Sequence, residues 1–310
     1  MATPIAHDRD LQTVPGRIDM VSPHIRRVVA DNPGPFTLLG TGTYIVGYGR
    51  VAVIDPGPAD PAHVDNLLRA LDGETVEAVL VTHTHGDHSP AARLLKAAGV
   101  DAPVYGFGPH PLSRQQEEQV EASGARLEER ADIDFVPDVT VTTGDVIHGW
   151  GWTFDVLHTP GHISNHLCYA FREERALFCG DHVMAWATTI IPPPDGSIVD
   201  YLASLELLLD RDDLVYWPTH GPRVHDPQIY VQALIRHRLE REDEILERLA
   251  SGKWKRVDAL VASMYKGYPE ELHKPAARSV LSHLVKLVGE GRIRCDTPTP
   301  TIESRYKLAG

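Results

Sequence analysis

The sequence predicts an α/β body followed by a small C-terminal unit of helices and a short β-hairpin, and three observations carry that expectation. The apolar run Val79-Leu80-Val81 reads as a buried strand that stops at His83-Thr84-His85-Gly86-Asp87-His88, after which residues 91–98 read as a helix. Upstream, residues 62–71 have helical spacing and cross over from the strand ending at Ile54 to the one entering Val79, which makes a βαβ unit. Beyond Asp226 the pattern changes to a long amphipathic helix through Ala250, two further helices, and strand-like runs at 291–295 and 304–308. The change of pattern divides the chain into expected domains at 1–228 and 229–310.

Composition sets the outer bounds. With 310 residues, 42% of them hydrophobic and 24% charged, the chain is ordinary for a globular protein and long enough for a sizeable core. Cys168, Cys179 and Cys295 are odd in number and lack metal-type spacing, so a reducing cytoplasm is expected and a disulfide framework is not. The first 16 residues contain Asp8, Arg9 and Asp10 but no apolar core of leader length, and no run approaches a membrane span. Neither secretion nor a membrane partner is therefore expected. The net charge of −13 is uneven: residues 231–310 carry 15 Lys and Arg against 11 Asp and Glu, net +4, which leaves −17 on residues 1–230. An acidic body argues against whole-molecule affinity for nucleic acid, and the weakly basic tail permits a local one.

Taken in order, residues 18–30 and 36–54 read as successive strands, the latter with a Gly-containing hairpin turn and ending in Asp55-Pro56-Gly57. At the next strand end, three imidazoles and a carboxylate on one short loop are more donors than a fold needs, and the mixture suits zinc or another first-row divalent ion. Ser89 then suits a helix N-cap and Pro90 the first helical position. Val104-Tyr105-Gly106 reads as a short strand, and the polar, Glu-rich residues 109–132 as an irregular insertion in which His110 is structural. Residues 139–157 return to strand patterns around a Thr143-Gly144-Asp145 turn and lead into His158-Thr159-Pro160-Gly161-His162. The strand 176–179 ends at Gly180-Asp181; His182 should point away from Asp181, because neighbours in an extended chain face opposite sides. Pro192-Pro193-Pro194 stiffens a loop expected over a pocket mouth, Asp200 caps a helix carrying Tyr201, and residues 214–217 lead into Pro218-Thr219-His220. His158 and His166 are assigned to support, and Cys168 and Cys179, in apolar strands, to the core.

The run His83-Thr84-His85-Gly86-Asp87-His88, followed in order by His162, Asp181 and His220 beside Gly or Pro turns, resembles the metallo-β-lactamase superfamily. That resemblance implies an αββα sandwich around a dinuclear centre. His83, His85 and His162 would form one site and Asp87, His88 and His220 the other, with Asp181 shared because a carboxylate has two oxygens. Asp87 and Asp181 are expected to be catalytic as well as metal-binding, and the cofactors to be two zinc ions, with iron or manganese as alternatives. Asp55, in the turn under the metal loop, is expected to steady the site without binding metal. The tail's order of helix, helix, helix and β-wing is a winged-helix pattern, and its pairing with this body resembles the β-lactamase-like protein 2 group.

The chemistry so implied is hydrolysis by a metal-bridging hydroxide, with the ions neutralising the developing oxyanion. RNA phosphodiester bonds are the leading substrate expectation, an endoribonuclease-like activity implied by the group, with Lys274, Arg278, Lys286, Arg292 and Arg294 as phosphate contacts. The acidic body and the lack of an evident aromatic stacking platform stand against it. The alternative is a small-molecule thioester or lactone. Asp200-Tyr201-Leu202-Ala203-Ser204-Leu205 resembles a helix of glyoxalase II-like and lactonase-like members, where the tyrosine borders substrate; Tyr201 does so here or packs in the core. A third class is a non-hydrolytic, metal-binding regulatory protein, in which the winged helix serves a homodimer or binds a regulatory site.

Overall fold

The computed structural model describes residues 5–122, 130–267 and 273–310. Two sheets face one another. In the first, β1 (Ile18–Ser22), β2 (Ile25–Val29), β3 (Gly42–Tyr48) and β4 (Arg50–Ile54) form an antiparallel meander. After α1 (Pro61–Ala70), β5 (Thr75–Leu80) returns parallel to β4, which is the expected βαβ unit. Helix α2 (Ala91–Ala97) leads to β6 (Val104–Gly106), and after α3 (Arg114–Ala122) the short β7 (Val139–Thr140) closes this seven-stranded sheet. The second sheet contains β8 (Val146–Gly149), β9 (Trp152–His158), β10 (Leu167–Phe171), β11 (Ala176–Gly180), β12 (Val215–Pro218) and β13 (Val224–His225), in reverse spatial order. The strand pattern read across 139–157 is thus divided, with β7 in one sheet and β8 and β9 in the other.

Period-two alternation explains the layering. On β4, Ala52 and Ile54 face the second sheet, while Val51 and Val53 face Val64 and Leu67 of α1 and Leu95 of α2. Between the sheets lie Tyr44, Phe154, Tyr169, Phe178 and Trp217, with the Tyr44 and Phe178 rings 5.1 Å apart. The outer face of the second sheet, including Cys168, Leu177, Cys179 and Tyr216, is covered by α4 (Ile198–Leu209) and the start of α5 (Pro227–Leu249). The layers therefore run helix, sheet, sheet, helix, as the resemblance implies.

Local signals account for the helix starts, with three departures from expectation, one of them at α4, where Ser197 and not Asp200 is the cap: the Ser197 hydroxyl accepts from the Asp200 N–H at 3.2 Å. Asp60 caps α1 by accepting from the Ala62 N–H at 3.0 Å, with Pro61 in the first turn. At α2, Ser89 does not cap: its hydroxyl donates to Asp132 at 2.6 Å, and the helix begins at Ala91 after Pro90. The segment read as irregular at 109–132 contains α3, started by a capping box in which the Gln116 amide oxygen accepts from the Ser113 N–H at 2.9 Å and its hydroxyl at 2.8 Å. Residues 123–129 of that segment lie outside the described residues.

The C-terminal unit is a second core. Ile245 and Leu249 of α5 pack with α6 (Val257–Met264), α7 (His273–Gly289) and Tyr306. Strands β14 (Lys255–Arg256), β15 (Ile293–Cys295) and β16 (Arg305–Leu308) form the wing, in the order β14-β16-β15. Val231 and Leu234 of α5 belong instead to the second-sheet core, so the expected boundary at 228/229 falls at the start of a helix that both cores share. No helix among the described residues is long and apolar enough to cross a membrane.

Phe178 is 1% exposed at the centre of the sheet interface. Phe178→Ala is expected to lower unfolding free energy by about 3–5 kcal/mol, because the rigid sheets cannot collapse onto the cavity. Denaturant titration measures this; a loss under about 1 kcal/mol would mean that the interface repacks.

Candidate metal centre

The expected ligands all follow the C-terminal ends of strands, from both sheets: 83–88 after β5, His162 after β9, Asp181 after β11 and His220 after β12. Two glycines make the loops feasible. A Cβ on Gly86 would lie 2.3 Å from the Arg130 carbonyl oxygen, and Gly180 takes φ +50° with its Cβ position 2.5 Å from the His166 ring.

The seven side chains meet in one buried place. Ligand atoms of His83, His85 and His162 lie within 4.8 Å of one another, as do those of Asp87, His88 and His220. Asp181 sits between the groups: one oxygen is 3.4 Å from His220 Nε2 and 3.9 Å from His162 Nε2, and the other is 3.6 Å from His88 Nε2. His83 Nε2 and His162 Nε2 stand 3.0 and 3.1 Å from His85 Nδ1, and His220 Nε2 stands 3.1 Å from Asp87.

The far nitrogen of four rings is occupied, which aims Nε2 inward. His83 Nδ1 meets the Thr82 hydroxyl at 3.0 Å, His88 Nδ1 meets Asp55 at 2.9 Å, His162 Nδ1 meets the Ile190 carbonyl at 2.6 Å and His220 Nδ1 meets the Gly40 carbonyl at 3.3 Å. Such partners set tautomer and ring orientation. Asp55 is fully buried and also accepts from the Thr82 N–H (2.8 Å) and from the hydroxyls of Thr82 (2.8 Å) and Thr219 (2.7 Å). Thr41, which sequence reasoning passed over, donates to Asp87 at 3.0 Å; only a contact between distant segments reveals it.

The supporting histidines are placed as expected. His166 Nε2 accepts from the Asp181 N–H at 3.2 Å, His158 bonds the Ser164 carbonyl at 2.8 Å, and His110 bridges Thr84 and Glu117 at 2.8 and 2.9 Å. The His182 ring turns away to pack on Tyr201. Cys168 and Cys179 are buried free thiols, the first pushed up to about 12 by burial and the second also raised, so neither is a ready nucleophile.

The donor set fits a pair of divalent ions. Five imidazoles and two carboxylates suit zinc, iron or manganese. Among the described residues, His88 Nε2 and Asp181 Oδ1 are buried without a hydrogen-bond partner, although buried polar atoms nearly always have one. Charge is distributed to match. Burial, reinforced by neighbouring imidazoles, holds His83 and His85 well below the usual histidine range. For His88 and His220 burial also opposes the charge, but Asp87 and Asp181 outweigh it: His88 is raised and His220 reaches about 10. Asp87 and Asp181 resist the upward push of burial and are lowered by the same two rings.

Three expected substrate contacts lie elsewhere. Tyr201 is fully buried and donates its hydroxyl to the His182 carbonyl at 3.0 Å, so it packs in the core and does not line a pocket. Lys286 Nζ lies 2.6 Å from Glu242, and Arg292 lies 3.4 Å from the same carboxylate. Glu242 is 2% exposed, and a charge so buried needs cations beside it; Lys286 and Arg292 meet that need and do not form an open phosphate clamp.

Comparison with known proteins agrees with this geometry. Residues 37–220 match the model of the metallo-beta-lactamase superfamily, and residues 257–297 that of the beta-lactamase associated winged helix domain. The chain belongs to the metallo-beta-lactamase superfamily. It is 29% identical to an atrochrysone carboxyl ACP thioesterase of Aspergillus chevalieri, over 89% of this chain and 84% of that one. A beta-lactamase-like protein 2 homolog of Drosophila melanogaster is 31% identical over 86% of this chain and 89% of its own. A beta-lactamase domain protein from Burkholderia ambifaria shares the fold, with a TM-score of 0.78, 22% identity and 96% of each chain covered.

Two outcomes are expected. Asp55→Ala should destabilise the protein by about 3–5 kcal/mol, since it leaves His88 without its buried partner, and should weaken metal binding roughly 10–100-fold. Thermal melts and chelator competition measure both; unchanged metal affinity would show that His88 is held without Asp55. Because His88 and His220 hold protons tightly, metal must displace them, so affinity should fall as pH is lowered from about 8 to 6. Calorimetry in buffers of different ionisation enthalpy reads the released protons, and pH-independent binding would refute this.

Proposed function

We propose that this protein is a dinuclear metal-dependent hydrolase of acyl thioesters. His83, His85 and His162 would hold one ion and Asp87, His88 and His220 the other, with Asp181, which lies between the two groups, available to both. Zinc is the first assignment on this donor set, with iron and manganese as alternatives. When bound, the ion pair supplies a hydroxide nucleophile near neutral pH and polarises the scissile carbonyl. The chain's own part is orientation. Thr82, Asp55, Ile190 and Gly40 aim four imidazoles, Thr41 holds Asp87, and His166 holds the Asp181 backbone. The raised thiols of Cys168 and Cys179 make neither of these two buried cysteines a route to an acyl-enzyme. The three free cysteines suit a reducing cytoplasm.

The observation that carries the thioester reading is the alignment with a relative named as a thioesterase over 89% of this chain and 84% of that one. The engagement of Lys286 and Arg292 with Glu242 weakens the RNA alternative. RNA remains a second reading because Arg294 pairs with Lys307 across β15 and β16, and Lys307 lies 4.8 Å from the half-exposed Trp254 ring, a small cationic and aromatic surface.

Parallel assays of an acyl N-acetylcysteamine thioester and a fluorescent single-stranded RNA, with and without chelator, separate these readings. Thioester hydrolysis should be abolished by chelation, restored by zinc and reduced at least about 100-fold in His88→Ala. RNA cleavage without thioester turnover would overturn the proposal, and turnover of neither with both ions bound would favour the regulatory reading.

A further inference from the structure

We propose that the C-terminal helices position the metal ligand His162 through the backbone of residues 189–191, which makes Arg238 and Ser282 positioning residues of the centre. This rests on His162 being a ligand, as above. Three consecutive carbonyls form the connection. The Thr189 carbonyl accepts from Arg238 Nη2 of α5, the Ile190 carbonyl accepts from His162 Nδ1 at 2.6 Å, and the Ile191 carbonyl accepts from the Ser282 hydroxyl of α7. The middle carbonyl thus meets the ligand while both flanking ones are held by the C-terminal helices. On its other side the strap is tied to the second ligand strand, since the Thr189 hydroxyl lies 2.7 Å from the Asp181 carbonyl and 3.0 Å from that of His182.

The burial of the two residues supports this role. Arg238 and Ser282 are each 3% exposed. A guanidinium is costly to bury; that of Arg238 offsets the cost in part, since Nη2 donates to the strap and the group lies 5.3 Å from the Tyr201 ring, whose hydroxyl meets the His182 carbonyl, while its Nε has no hydrogen-bond partner among the described residues. Ser282 also bonds the Arg278 carbonyl at 3.0 Å, as a helix serine does unaided, so its contact with Ile191 is an additional link between domains. If the strap moves, His162 Nδ1 loses its acceptor, the ring is free to turn or change tautomer, and Nε2 is no longer aimed at the site it shares with His83 and His85.

The test is metal titration of the full-length protein. Cobalt(II) competition against a chelator resolves two dissociation constants for the parent, Ser282→Ala, Arg238→Met, Ser282→Thr and Lys286→Met. In Ser282→Ala and Arg238→Met one constant should weaken about tenfold and the other stay within about twofold, because the Asp87, His88 and His220 group does not touch the strap. Ser282→Thr, which keeps the hydroxyl, should restore the parent value. Lys286→Met disturbs the Glu242 ion pair in the same domain without touching the strap, so it should lower the melting temperature and leave both constants unchanged. Unchanged constants in both strap variants, equal weakening at both sites, or the same weakening in Lys286→Met would overturn the proposal. His162→Ala separates the two readings: if it weakens neither constant, the assignment of His162 as a ligand fails.

Discussion

The Asp55 carboxylate stands where the two sheets and the metal loop come together. It follows β4, takes hydrogen bonds from Thr82 after β5 and Thr219 after β12, and holds His88 Nδ1 at 2.9 Å. Two of these groups belong to segments that end in the first sheet and one to a segment from the second, so a single side chain sets both the meeting of the sheet edges and the aim of a ligand. Asp55 has φ +46°, an uncommon conformation for a non-glycine residue that the four contacts together maintain.

Around that anchor the sandwich solves a difficult electrostatic problem. Imidazoles and carboxylates that would each prefer water are buried within a few ångströms of one another. The structure separates them by role. His83 and His85 are kept neutral by burial and by one another, whereas His88 and His220 share a strong field with Asp87 and Asp181. Neutral donors collect on one side and carboxylate-paired donors on the other, an asymmetry that suits two ions with unequal ligand charge.

The winged helix is tied closely to this body. Helix α5 contributes Val231 and Leu234 to the sheet-covering core and Ile245 and Leu249 to the C-terminal one. Its buried Glu242 draws Lys286 inward and is reached from the exposed side by Arg292, so cations that in sequence resemble a phosphate surface are engaged with a buried carboxylate. The same helices reach the 189–191 strap, and through it the two domains share one mechanical environment at the metal centre.

Sequence alone marked the donor-rich loop at 83–88 and the separate strands and helices, because both are local, while the set of seven candidate ligands and the order of layers came from the resemblance to the metallo-β-lactamase superfamily. A ligand at a strand end is marked by an apolar run that stops at a Gly or Pro turn, and alternation or helical spacing shows which face each element buries. The Ser113-to-Gln116 capping box was equally local and readable, but the polarity of its surroundings masked it. What only the tertiary structure decided depends on contacts between residues far apart in the chain. Thr41 beside Asp87, the Gly40 and Ile190 carbonyls beside their imidazoles, the enclosure of Tyr201 and the pairing of Lys286 with Glu242 all belong to that group. A backbone carbonyl carries no residue-specific mark, and a lysine reads alike whether it faces water or a buried carboxylate, so these roles exist only once folding has brought the segments together.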